Sequence, residues 1–135
     1  MFGFGKKNAN ERTYPEVVYA RTNAEFLNKR FGTNYKAWMK CGWKYDDDTI
    51  VWMVPFDGKE RYGWRNRIVD ADTVREDYVG AESLKLDGHK YIRERRRIVV
   101  KKEEGRYTIL GLYRYDSQNS DERIRRIWIK ERNFI

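Results

Sequence analysis

Apolar positions along the chain fall into runs whose spacing changes, and the changes mark the elements. Between residues 22 and 32 the spacing is helical, with Phe26, Leu27 and Phe31 on one stripe. Thr22-Asn23-Ala24-Glu25 in front of it has the form of a capping box, and Gly32 behind it suits a left-handed stop. A second short helix is expected from Thr33 or Asn34 to Gly42, with Tyr35, Trp38 and Met39 on one face.

Beyond Asp46-Asp47-Asp48 the period falls to two. Residues 49–54, TIVWMV, form a continuous β-branched and aromatic run, which predicts a strand buried on both faces and ended by Pro55. Asp57-Gly58 is a hairpin signal and leads into RYGWRNRIV at 61–69. There Tyr62, Trp64, Asn66 and Ile68 alternate with Arg61, Gly63, Arg65 and Arg67. Residues 49–69 are therefore expected to form a hairpin with Tyr62, Trp64 and Ile68 packed inward. A third helix is expected over 71–79, capped by Asp70, stapled by Val69 and Val74 and ended by Gly80. Three strands follow at about 91–102, 106–115 and 123–131. The pattern predicts an α+β fold, with N-terminal helices packed on a curved antiparallel sheet or small β-barrel. Residues 1–15 are expected to be a flexible N-terminal arm and residues 16–135 a single domain.

Composition sharpens this picture in three ways. Charged residues reach 37%, well above the usual quarter, so the aromatic 16% must supply much of the core volume. The single cysteine, Cys41, rules out an intramolecular disulfide and favours a reducing compartment. No apolar run reaches a membrane span, and the first fifteen residues lack the continuous apolar core of a signal peptide. A soluble cytoplasmic protein is expected.

The net charge of +8 is unevenly spread. Residues 1–44 and 89–135 are basic, whereas 45–88 hold eleven acidic and six basic side chains. Such a balance suits a polyanion, an acidic protein, or solubility alone.

No catalytic set emerges. His89, the sole histidine, sits beside Asp87-Gly88 and Lys90 and reads as a surface turn rather than a general base. Cys41, near the end of the second expected helix, reads as a small buried thiol. Asp57-Gly58-Lys59 has the Asp-x-Lys spacing of metal-dependent nucleases, but in a turn rather than on a strand; it leaves that enzyme class open. Gly3 and Gly5 lack the strand and helix that a phosphate cradle requires, and zinc spacing is absent. The chain is therefore expected to be non-enzymatic, with no metal and no cofactor.

What remains is a basic and aromatic surface. Arg93, Arg95 and Arg97 share one strand face, Arg123 and Arg125 lie in ERIRR, and Arg61, Arg65 and Arg67 decorate the expected hairpin. Tyr107 and Tyr113 share a face around Gly111. Guanidinium forks suit phosphate oxygens and tyrosine rings suit unpaired bases, so these ten residues are the candidate nucleic-acid contacts. Arginine also solvates and protects strand edges, and that reading stays open.

The order of segments carries a resemblance. Trp52-Met53-Val54-Pro55, Gly63-Trp64, then RRRIVVKK, YTILGLYRYD and RRIWIK resemble the small β-barrel modules of the PUA-like group. These include SRA-like and EVE-like readers associated with modification-dependent restriction systems, and the likeness covers residues 49–131. It implies a pocket for a flipped or modified base, with Trp52, Tyr62 and Trp64 as its walls and Asn66 reading a base edge. It also implies nucleic acid as the partner, DNA ahead of RNA. No nuclease signature accompanies these segments, so such a reader would need a partner to act. A second class stays open: a small phage-encoded inhibitor that occludes a bacterial defence nuclease, of anti-CRISPR or anti-restriction type. It would bind an acidic or nucleic-acid-bound protein complex, because Arg, Trp and Tyr also anchor protein interfaces.

Overall fold

The computed structural model describes residues 15–37, 40–79 and 92–134. The chain order is β1 (Glu16–Tyr19), α1 (Asn23–Phe31), β2 (Gly42–Lys44), β3 (Thr49–Val54), β4 (Glu60–Arg61), β5 (Trp64–Asp70), β6 (Thr73–Tyr78), β7 (Arg96–Glu103), β8 (Arg106–Tyr115) and β9 (Arg125–Arg132). The strands form one sheet in the order β2-β3-β7-β8-β9-β6-β5-β4, with β1 added on β8. The sheet curls into a half-barrel, in keeping with a PUA-like fold, and α1 is the one helix among the described residues.

α1 forms where its signals lie. Thr22 Oγ1 accepts the Glu25 N–H at 3.0 Å, and Glu25 Oε1 reaches back to the Arg21 N–H at 2.7 Å. Gly32 ends the helix at φ 72°. The second expected helix does not follow in the described residues 33–37, and Gly42 opens β2 instead of closing a helix. The cause is Asn28. Its Oδ1 accepts from Thr33 Oγ1 and the Tyr35 N–H, and its Nδ2 donates to the Tyr35 carbonyl, so one side chain replaces the bonds a new helix would supply. Trp38 and Met39 lie outside the described residues, as do residues 1–14 and His89.

β3 is buried along nearly its whole length, as its apolar run predicts, and it runs parallel to β7. The expected 49–69 hairpin is therefore absent. β3 takes β2 and β7 as neighbours, whereas β5 pairs with β4 and β6. A strand apolar on both faces needs cover on both, and the arginine-bearing segment 64–70 goes nearer the sheet edge. Ile68, expected in the core, is 41% exposed.

The third expected helix is also overturned, because residues 73–78 are strand β6. Asp70 Oδ1 accepts the Asp72 N–H, which shapes a turn rather than a helix cap. TVREDY then alternates, with Val74 and Glu76 buried and Arg75 and Asp77 on the other face. Pairing on both sides, with β5 and β9, overrides the capping signals.

Two apolar layers sit on opposite faces of the sheet. The outer layer packs Phe26 and Leu27 of α1 over Val51, Met53, Ile98, Val100 and Ile109. Phe26 stacks on Tyr107 at 4.8 Å, and the Tyr107 hydroxyl donates to Asn23 Oδ1. The inner layer fills the curl with Trp52, Val54, Val74, Val99, Tyr113 and Trp128. β8 serves both layers by changing partner from β1 to β9 across a bulge near Gly111. Gly111 has φ 149°, and a Cβ there would lie 2.7 Å from Lys130 Cε and 2.9 Å from the Arg132 carbonyl oxygen. Gly111→Ala is expected to cost about 2 kcal/mol, since the Lys130 side chain can swing aside but the Arg132 carbonyl and the positive φ cannot yield cheaply. Urea denaturation of the two proteins measures it; an unchanged midpoint contradicts the crowding.

Candidate functional site

A groove of about 950 Å³ opens where the end of β3 faces β5 and β6. Trp52, Tyr62, Trp64 and Asn66 all line it, so the four residues that the family resemblance implies for a base pocket share one concavity. β5 supplies Trp64 and Asn66 on one face by strand alternation. Tyr62 stands at the tip of the two-residue β4–β5 turn at φ 54°, followed by Gly63 at φ 88°, and is 99% exposed. Positive φ at both turn positions is the hairpin geometry that matches strand twist. Glu60 Oε2 accepts the Gly63 N–H and fixes the turn. Trp52 is mostly buried and shows only part of its ring to the groove.

The floor is polar and in register: Asn66 pairs with Glu76, and Glu76 with Arg126. Asn66 Oδ1 is buried and takes no hydrogen bond. Glu76 Oε1 accepts the Trp128 indole N–H at 3.0 Å and lies 2.8 Å from Arg97 Nη1, an ion-pair contact rather than an aligned hydrogen bond. The Arg97 guanidinium is held between two rings, 4.4 Å from the Trp52 centroid and 4.2 Å from that of Trp128. Its Nε and Nη2 bond Glu94 at 2.9 and 2.8 Å. Arg126 lies 4.3 Å over the Trp64 ring, donates from Nε to the Glu122 carbonyl, and stands 3.9 Å from Glu76.

The charges balance. Burial works against the Arg97 cation, but Glu76 and Glu94 outweigh it and raise its pKa. Arg126 is lowered, by burial first and then by Arg97. Burial pushes Glu94 upward, but Arg97 dominates and leaves it below the ordinary carboxylate value. Among the described residues the interior thus sets the two cations Arg97 and Arg126 against the two carboxylates Glu76 and Glu94.

The arginines that the sequence suggests for phosphate are sorted differently by the fold. Arg97 is 6% exposed inside the curl, which removes it from any phosphate-facing surface. Tyr107 and Tyr113 are core residues of the two layers, so neither offers a stacking face. Arg61 is tied to Asp57 through both its terminal nitrogens, and Arg95 pairs with Glu122 and lies over Tyr115. Arg93 is exposed and Arg123 half-buried on the loop before β9. Arg65, Arg67 and Arg125 come together on the outer face of β5–β6–β9, where they border a cleft of about 500 Å³. Cys41 is exposed rather than buried. Asp57 is committed to Arg61, and among the described residues no group of three or more His, Cys, Asp or Glu could hold a metal. No helix of the described residues is long and apolar enough to cross a membrane.

Glu76, Arg126 and Trp128 were not legible as site residues. The expected helix over 71–79 hid Glu76; the period-two alternation of TVREDY is the signal that finds it.

No family model matches the chain, and no curated protein matches it. Among solved structures, the 5-hydroxymethylcytosine-specific restriction enzyme AbaSI matches with a TM-score of 0.62 and 24% identity. The chain resembles SRA-like modules of the PUA-like group. At this identity the likeness is one of fold. The match covers 87% of this chain and 41% of AbaSI, so the chain corresponds to well under half of that enzyme.

Glu94 gives the interior a pH signature. Its folded pKa is depressed, so the stability it adds is present above the unfolded value and lost as pH falls through the folded one. Urea midpoints measured from about pH 6 down to about pH 3 are expected to fall more steeply for the wild type than for Glu94→Gln. Parallel curves contradict the assignment.

Proposed function

We propose that this domain binds DNA and holds a single extrahelical base in the groove between β3 and β5. The observation that carries the reading is the pairing of aromatic walls with internal charge neutrality. Trp64 and part of Trp52 line the groove, Arg97 beneath it is matched by Glu76 and Glu94, and of the cations on its lining Arg61 is held by Asp57 and Arg126 stands beside Glu76. A neutral aromatic groove suits a base and not a phosphate. Asn66 lines the same groove, and its amide suits hydrogen bonding to a base edge. The phosphates beside the base would meet Arg21 and Lys102, which border the same groove.

AbaSI is specific for 5-hydroxymethylcytosine, and the shared fold makes a modified cytosine the first ligand to try. The domain acts as a reader in this account, and cleavage, where it occurs, belongs to a partner.

Fluorescence anisotropy on duplexes carrying 5-hydroxymethylcytosine, 5-methylcytosine or cytosine tests this. The modified duplex is expected to bind most tightly. Trp64→Ala is expected to weaken that binding about tenfold or more, the scale of one lost base–aromatic stack, while Trp64→Phe keeps most of it. Circular dichroism confirms that each variant is folded. Equal affinity for all three duplexes, together with an unaffected Trp64→Ala, overturns the base-reading function.

A further inference from the structure

The strands that build the groove carry a second pattern on their other face. Asn66, Glu76 and Arg126 form one cross-strand row; one residue along, Arg65, Asp77 and Arg125 form the next. Alternation sends the second row outward, away from the groove. Arg67 and Arg75 face each other across the same two strands, one pair further on. Four arginines therefore surround a single carboxylate.

That carboxylate is already engaged. Asp77 takes Arg75 Nε at 2.9 Å and Arg67 Nη2 at 3.3 Å. Glu60, cross-strand to Arg65, turns its carboxylate to the Gly63 N–H, and Asp57 is held by Arg61. Arg65 and Arg125 are exposed and have no ion pair among the described residues. They stand at the two sides of Asp77, on the rim of the outer cleft of about 500 Å³. Fork-shaped donors left without acceptors beside a concave surface are what phosphate oxygens fit.

We propose that the outer face of β5–β6–β9 grips the backbone phosphates of a nucleic-acid segment other than the one whose base enters the groove. The proposal rests on the groove reading for its second segment. The domain then carries two nucleic-acid contacts back to back on the same three strands. Charge complementarity names the occupant. The cations repeat along β5 at about 7 Å, two residues apart, and recur two strands away at about 10 Å. A repeated phosphate matches that lattice. A protein partner would instead centre on a desolvated apolar anchor, and here the cations are the dominant feature.

The test uses the full chain, Arg65→Gln/Arg125→Gln, and the groove variant Trp64→Ala. Anisotropy with an unmodified labelled duplex from 50 to 200 mM salt reads the phosphate contacts directly. Loss of two contacts is expected to flatten the slope of log affinity against log salt by about 1.8, and Trp64→Ala leaves the slope as in the wild type. In a sandwich assay, wild type on a bead-bound duplex carrying the modified base is expected to capture a second, labelled duplex. Arg65→Gln/Arg125→Gln loses about tenfold of that capture and keeps its preference for the modified duplex.

An unchanged slope in Arg65→Gln/Arg125→Gln overturns the proposal, as does undiminished capture. So does a result in which an oligoglutamate peptide binds through these arginines and duplex does not, since that assigns the face to an acidic protein. Absence of any preference among duplexes, with the slope difference intact, defeats the groove reading alone.

Discussion

The buried contact between Arg97 and Glu76 is the constraint on which the curl of the sheet depends. Removing two charges from water costs several kcal/mol per ion, and only close, multiply bonded geometry offsets it. Here the five side chains come from four strands. Glu76 lies on β6, Arg97 on β7, Trp128 and Arg126 on β9, and Trp52 on β3. If the sheet were flat, the ring-guanidinium-ring sandwich would open and Arg97 and Glu76 would lose each other, leaving Arg97 with Glu94 and Glu76 with its β9 neighbours. An apolar filling of the same volume would cost less to bury; the ionic one ties five side chains to one geometry.

That arrangement also decides which arginines are chemically available. A chain with 29 basic side chains looks uniformly sticky as a string of letters. Folded, its arginines divide into those spent on structure, as at positions 61, 95, 96, 97 and 126, and those left over at 65 and 125. Charge density along a sequence therefore overstates the usable cationic surface. β5 shows the division within one strand, its even positions lining an aromatic groove and its odd ones a cationic cleft.

Much of the fold was readable because its elements carry local signals. Thr22 and Gly32 bound the helix, TIVWMV marks the doubly covered strand, and the apolar run at 106–115 between Glu104-Gly105 and Asp116 gives β8 its observed limits. A bulge at Gly111, however, puts Tyr107 and Tyr113 on opposite layers rather than one face. What could not be read was non-local. The parallel pairing of β3 with β7 has no signature within either segment, and without it Asp57-Gly58 looked like the turn of a simple hairpin. Asp70 and Val74 are sound helix-start residues that lost to pairing on both sides of β6. The aromatic residues of the groove were legible through family resemblance, whereas its ionic floor depended on the strand that was read as helix.

The parallel join between β3 and β7 has a kinetic side. β7, β8 and β9 follow one another in sequence and pair as neighbours, so this C-terminal meander closes only short loops. β3 must instead return across more than forty intervening residues to lie along β7. Until it arrives, Arg97 has Trp128 on one side and water on the other. On loop length β3 docks after this meander has closed, and a chain stalled before that step would present a bare β7 edge with four buried-type residues, Arg97 to Val100, to any neighbouring chain.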